Sequence, residues 1–310
     1  PFYAEMGGEV GDTGVIETHD SAAEVLDTKA PEKGLTCHYV KVTSGRIIEG
    51  ESVNAQVDAN RRARITRNHT GTHILHAALR AVLGEHVNQA GSYVGPDRLR
   101  FDFTHFQGMT RDEIQQVEQL ANQEIMKATP LNVYTTSLDE ARASGVTALF
   151  GEKYGSEVRV VEAGDFSREL CGGCHVGNTA EIGFLKITSE GSVGASTRRI
   201  EAVTSYEALT YMNKMEEELR HAATGLRVPL FDVAERSSAN LQQLKDVERR
   251  GKKVRTALED DTIMEVMKSA TVNVGYPLLI ERRDGLDTAG LRGFWDSVRD
   301  RMGAPGAIVI

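Results

Sequence analysis

Cysteine is scarce: three occur in 310 residues, too few for a disulfide framework, and two of them fall in one pentapeptide, Cys171-Gly-Gly-Cys174-His175. That clustering points to metal or redox chemistry. Long hydrophobic runs are missing too, since no window holds the roughly 18 uninterrupted apolar residues of a membrane span. The opening Pro1-Phe2-Tyr3-Ala4-Glu5 has none of the basic and apolar pattern of a signal peptide, so the chain reads as cytoplasmic with no membrane partner. What is present is ordinary for a globular protein: 40% hydrophobic and 26% charged residues, which excludes disorder, collagen or a coiled-coil rod for the whole. The length suits about two domains at roughly 100–200 residues each. The chain opens without Met on what looks like mid-strand and closes on Gly306-Ala307-Ile308-Val309-Ile310, so a fragment of a longer protein is expected.

The net charge of -9 argues against a protein coated for nucleic acid, yet its distribution is uneven. Residues 1–60 hold 4 basic and 11 acidic groups, residues 61–130 hold 9 and 7, residues 131–210 hold 7 and 11, and residues 211–310 hold 16 of each. The dense cationic run is Arg61-Arg62-Ala63-Arg64-Ile65-Thr66-Arg67. It is either a solvated surface or a local contact patch.

Periodicity divides the chain. Residues 1–60 alternate apolar and polar positions with glycine breaks, as in His38–Val42, Arg46–Ile48 and Ser52–Val57, which predicts a small β-barrel or sandwich. From Asn68 the repeat changes to three and four through Ile74, Leu75, Ala78, Leu79, Val82 and Leu83, a helix stopped by Gly84. Leu99-Arg100-Phe101-Asp102-Phe103 alternates as a strand, and Thr110 with Glu113 forms a capping box opening a helix over about 110–127. Residues 146–204 are rich in Val, Ile, Phe and Gly, so the expected class is α+β. Two charged helices over about 206–224 and 234–260 follow, the second carrying a narrow apolar stripe of Leu241, Leu244, Val247, Val254 and Leu258 that suits a helical hairpin arm. A strand over Val272–Ile280, a helix over about 287–302 and the terminal strand would begin a truncated α/β domain.

The chemistry concentrates in four residues. His69 and His73, four apart on a helix, project from one face and can reach one ion. Thr70 follows His69, so the Glu of an H-E-x-x-H metalloprotease site is missing. Cys171 and His175 are also four apart, and Gly172 and Gly173 let the backbone between them fold tightly. Three imidazoles and one thiolate are a donor set that Zn²⁺ prefers. The same pentapeptide matches the C-x-x-C-H haem-attachment pattern, which would leave His69 and His73 without a role.

At these residues the chain resembles the C-terminal half of alanyl-tRNA synthetases. Phe2-Tyr3-Ala4-Glu5-Met6-Gly7-Gly8-Glu9-Val10-Gly11-Asp12-Thr13-Gly14 resembles the opening of the β-barrel before their editing domain. Arg67-Asn68-His69-Thr70-Gly71-Thr72-His73-Ile74-Leu75-His76 and Glu169-Leu170-Cys171-Gly172-Gly173-Cys174-His175-Val176 resemble its two metal motifs. Val87–Ser92, Arg98–Phe103 and Arg198–Ala202 fall between and after them in the family's order. Freestanding alanyl-tRNA editing proteins share this core, but the long C-terminal continuation is closer to the full synthetase. Position 174 departs from the family, which usually has Thr there.

The resemblance implies a β-barrel at 1–60, an α+β editing (deacylase) domain at 61–205, a helical hairpin at 206–260 and the start of a tRNA-binding or dimerisation domain at 261–310. It implies hydrolysis of tRNA(Ala) mischarged with serine or glycine, with one Zn²⁺ held by His69, His73, Cys171 and His175, and with His69, His73 and Gln89 at the reacting ester. Such a second site answers a physical need. A pocket for a methyl group cannot strongly exclude glycine and rejects an added hydroxyl by only about a hundredfold. Arg61, Arg62, Arg64 and Arg67 would lie by the acceptor end of the tRNA, or pair with the acidic first segment. ATP belongs only to the parent enzyme's N-terminal half, so this piece is not expected to aminoacylate; a homodimer would need a complete C-terminal region. Phe294 and Trp295 read as packing residues rather than base-stacking ones. The alternative function is a non-catalytic, zinc-stabilised module for tRNA binding or dimerisation.

Overall fold

The computed structural model describes residues 1–32, 34–147, 155–268, 271–273, 276–278 and 287–302. They form two compact units, residues 1–215 and 216–310. The class is α+β with antiparallel sheets, as expected.

Residues 1–60 hold β1 (Gly14–Glu17), β2 (Ala22–Glu32), β3 (Leu35–Ser44) and β4 (Asn54–Val57), paired in the order β3-β2-β1-β4. Among the described residues β3 and β4 do not pair with each other, so no closed barrel is seen. Arg46–Ile48, expected as strand, lies outside the strands; the Ser21 hydroxyl holds it by donating to the Arg46 carbonyl at 2.7 Å and accepting from its N–H at 2.9 Å.

Helix α1 runs Ala59–Leu83, so it starts about ten residues before the apolar period predicts. Asp58 is the reason: its side chain accepts from the Arg61 N–H at 3.0 Å and satisfies one of the free donors of the first turn. Arginine and alanine are good helix formers, and the first turns carry no Gly or Pro to stop them. From Asn68 to Leu79 the helix is buried nearly all round. It crosses the sheet closely at Gly71, where a Cβ would sit 3.1 Å from Thr204 Cγ2.

That sheet has the order β10-β11-β6-β5, built from β5 (Gln89–Val94), β6 (Leu99–Thr104), β10 (Leu185–Gly194) and β11 (Thr197–Thr204). Helix α2 (Arg111–Met126) has the predicted capping box, with Thr110 and Glu113 each satisfying the other's N–H. Ile74, Leu75 and Leu79 of α1, Leu99, Phe101 and Phe103 of β6, Val117 and Ile125 of α2, and Leu185 and Ile200 form the core between helices and sheet. Each sheet edge is capped at one end, which satisfies part of the ladder that an edge would expose. At β10, Asn122 of α2 accepts from the Leu185 N–H (2.9 Å) and donates to its carbonyl (2.8 Å), while Glu118 accepts from the Ile187 N–H (2.9 Å). At β5, the Val94 N–H donates to the Gly8 carbonyl (2.7 Å) and the Val10 N–H to the Val94 carbonyl (3.1 Å).

A third sheet, β7 (Leu131–Ser137), β8 (Glu157–Ala163) and β9 (Ser167–Leu170), packs with α3 (Leu138–Ala143) around Ala141, Val146, Val158, Val160 and Leu170. Strand β9 leads straight into Cys171.

Helix α4 spans Ser205–Leu226 and α5 Val233–Lys268, longer than the 206–224 and 234–260 expected. The stripe of Leu241, Leu244, Val247, Val254 and Leu258 on α5 is exposed, at 55–64% for each. Where one strand over Val272–Ile280 is expected, the described residues form two short antiparallel strands, β12 (Thr271–Asn273) and β13 (Tyr276–Leu278). Helix α6 (Thr288–Met302) matches the expected 287–302 and packs on α5 with Ile263, Val266 and Val298 buried; Phe294 and Trp295 on it are half-buried. The terminal strand expected at 306–310 lies outside the described residues.

Asn122→Leu would leave the Leu185 N–H and carbonyl buried without partners. A loss of about 3 kcal/mol in unfolding free energy is expected by denaturant titration, and an unchanged midpoint would refute the edge-capping role.

Candidate metal centre

Four side chains converge from two directions. His69 and His73 stand one turn apart on α1, with ring centroids 5.2 Å from each other. The turn after β9 brings His175 in, its ring 4.3 Å from His69 and 4.6 Å from His73. One donor atom from each of His69, His73, Cys171 and His175 lies within 4.8 Å of all the others. An ion bonded tetrahedrally to nitrogen at roughly 2.0–2.1 Å and to sulfur at about 2.3 Å keeps its ligand atoms roughly 3.3–3.6 Å apart. Cys171 Sγ lies 3.4 Å from His69 Nε2 and 3.3 Å from His175 Nε2. The set fits one metal ion. Haem attachment does not fit, because His175 Nε2 faces the Cys171 thiolate and two helix imidazoles rather than an open axial position.

Two of the three imidazoles are oriented by a second partner. His69 Nδ1 lies 2.5 Å from Glu9 Oε2, and His175 Nδ1 lies 3.1 Å from Thr70 Oγ1. Thr70 donates its own proton to the Thr66 carbonyl (3.0 Å), so its oxygen accepts from His175 Nδ1–H and from the Val176 N–H (3.2 Å). This network places a proton on Nδ1 of both rings, so that Nε2 is the nitrogen each would offer to a metal. Glu169 lies between His73 (3.7 Å) and the buried His76 (3.0 Å). The Arg159 guanidinium pins the turn by donating to the Cys171 and Gly173 carbonyls at 2.8 and 2.9 Å.

Charges in the metal-free cluster follow from this packing. Burial alone would raise the Cys171 thiol, but the imidazoliums of His69 and His73 push it down to about 2. Burial opposes protonation of His69, yet Cys171 and Glu9 push it up to about 10; His73 is raised in the same way by Glu169 and Cys171. His175 is brought down to about 3, chiefly by burial. Cys174 behaves differently. Burial and the Glu9 carboxylate push its thiol up to about 12, so it stays neutral and outside the donor set.

The structure gathers the four expected ligand residues. Gln89 begins edge strand β5 opposite Phe103, half-buried, and is not one of the four. The arginines sit on the first turns of α1 with intramolecular partners. Arg61 donates to the Gly11 carbonyl (2.8 Å), Arg62 pairs with buried Asp12, Arg64 with Glu207 (2.7 Å), and Arg67 donates to the Glu181 carbonyl (3.0 Å). Sequence reasoning passed over Glu9, Thr70, His76 and Glu169. Glu9 and Glu169 were visible only as parts of longer motifs, since their partners are 60 and 93 or more residues away.

Residues 158–201, which include Cys171 and His175, match the family described as "Threonyl and Alanyl tRNA synthetase second additional domain". Residues 1–61 match "tRNA synthetases class II (A)". The chain is 45% identical over all its 310 residues to an alanine--tRNA ligase of Pelotomaculum thermopropionicum, and 44% identical over 310 residues to those of Desulforamulus reducens and Acetivibrio thermocellus. The chain belongs to the alanyl-tRNA synthetase family. It covers 35% of the length of each of these relatives, so it corresponds to part of a family member. Among the described residues no helix is long and apolar enough to cross a membrane.

Two outcomes are expected. A Cβ on Gly173 would lie 2.1 Å from His69 Cε1 and 2.4 Å from Glu9 Oε2, so Gly173→Ala should abolish stoichiometric metal uptake measured by elemental analysis. Because an incoming ion must displace protons from His69 and His73, affinity should rise with pH. Chelator competition between pH 6 and 8 should show roughly a ten- to hundredfold change per unit, and a flat profile would contradict the assignment.

Proposed function

We propose that this chain is the editing portion of an alanyl-tRNA synthetase, hydrolysing the aminoacyl ester of tRNA(Ala) mischarged with serine or glycine. One observation carries the reading: a three-histidine, one-thiolate cluster with tetrahedral spacing, half of it inside the stretch that matches the synthetase additional domain. The ion is Zn²⁺, one per chain, held by His69, His73, Cys171 and His175; when bound it supplies positive charge and a rigid anchor beside the ester.

Four protein ligands close a tetrahedral ion, which favours an organising over a water-activating metal. Cys171, engaged with two imidazole nitrogens, is then no free nucleophile, and the ester is cleaved by a positioned water without a covalent intermediate. In this reading Gln89 lines the pocket beside the ester. A buried polar group there would accept the seryl hydroxyl and be left unpaired by alanyl, which sets the direction of selectivity. The intramolecular partners of Arg61, Arg62, Arg64 and Arg67 favour a role in fixing α1 over direct tRNA contact. The working layout is the N-terminal sheet at 1–60, the editing domain at 61–205, a helical arm at 206–260 and the start of a tRNA-binding or dimerising domain at 261–310. The setting is the cytoplasm, and no aminoacylation is assigned to this chain.

The test is release of serine from seryl-tRNA(Ala), with alanyl-tRNA(Ala) as the comparison. Serine should be lost at least tenfold faster than alanine, and His73→Ala should remove that difference. Zinc binding without any release would instead favour a non-catalytic tRNA-binding module, and a seryl-thioester trapped on Cys171 would refute the direct-water route.

A further inference from the structure

The segment before β1 reaches into the metal centre. Residues 6–9 form a tight turn in which Met6 and Glu9 exchange backbone hydrogen bonds at 3.2 and 3.1 Å, and the flanking Gly8 and Val10 pair with Val94 on the edge of β5. Two residues further on, Asp12 is 2% exposed and pairs with Arg62, which ties the segment to α1. This fixed backbone delivers Glu9, itself 1% exposed, to the cluster.

There a single oxygen serves both halves of the site. Glu9 Oε2 lies 2.5 Å from Nδ1 of the helix ligand His69 and accepts from the Cys174 N–H at 2.9 Å, inside the turn that carries Cys171 and His175. The turn admits the carboxylate only because residue 173 is glycine, whose missing Cβ would stand 2.4 Å from that oxygen. A buried carboxylate without partners would be expensive, so its placement here is maintained by these donors. Hydrogen bonds to an ionised acceptor are roughly twice as strong as neutral ones. A carboxylate behind a metal-bound histidine fixes ring orientation and raises its basicity, and its loss typically costs 10–100-fold in affinity.

We propose that Glu9 is a positioning residue of the metal centre: its carboxylate holds His69 and the Cys171–His175 turn in register, so that the segment before β1 completes the site. This rests on the metal-binding reading above.

The experiment measures zinc affinity by chelator competition and zinc release rate in the full chain, for the wild type, Glu9→Ala, Glu9→Gln and Asp12→Asn. Glu9→Ala should bind zinc 10–100-fold more weakly. Glu9→Gln, which keeps an acceptor but not the charge, should be intermediate, releasing zinc several-fold faster than the wild type. Asp12→Asn loosens the same segment without touching a ligand and should lower the melting temperature while leaving affinity within about threefold. If Glu9→Ala does not fold, the release rate of Glu9→Gln decides alone. Wild-type affinity and release in the Glu9 variants, or equal weakening by Asp12→Asn, would overturn the proposal. Absence of zinc from the wild type would instead overturn the metal-site reading itself.

Discussion

Burying a charged or polar side chain is costly unless a partner meets it, and the core of this molecule contains a group of such side chains that answer one another. Glu9, His69, His73, His76 and Glu169 are each less than 10% exposed. None could stand there alone. His69 needs Glu9, Glu169 needs His73 and His76, and the Cys171 thiolate needs the imidazoles around it. This mutual dependence requires the N-terminal segment, α1 and the turn after β9 to arrive at one point.

The rest of the first unit serves that convergence. Helix α1 is held at its N-terminal end by the arginines and by Asp58, along its middle by contact with the sheet at Gly71, and by α2 through the shared core. Asn122 and Glu118 cap one end of one sheet edge and residues 8–10 one end of the other. Capping the second edge also places Glu9, so one local hydrogen-bond pattern has both a folding and a chemical consequence. Arg159 then fixes the turn itself, which leaves the four donor atoms little freedom to separate.

Cysteine usage makes the two thiols of one pentapeptide chemically distinct. Cys171 sits among imidazoliums and is held as a thiolate, whereas Cys174, three residues on, faces Glu9 and stays protonated. A rule based on spacing treats them alike. The local electrostatic field separates them, and only Cys171 stands in the group that could hold a metal ion.

Local chemistry decided what the sequence could determine by itself. The α2 capping box involves residues three apart, the i, i+4 histidines need only a helix, and the glycines between Cys171 and His175 need only a tight turn, so each was legible without a fold. The start of α1 was also local but carried no apolar period; Asp58 was the available signal, and the arginine run concealed it as a surface patch. Tertiary structure decided the remainder. The pairing of β1 to β4 without closure, the short β12 and β13 in place of one strand, and the exposure of the α5 stripe depend on neighbours that a periodicity cannot name. Glu9 on His69, Thr70 on His175 and Glu169 on His73 are separated by 60, 105 and 96 residues. A contact over such distances is fixed by where the chain has packed, because the energy that orients each ring exists only once burial has removed water as the competing partner.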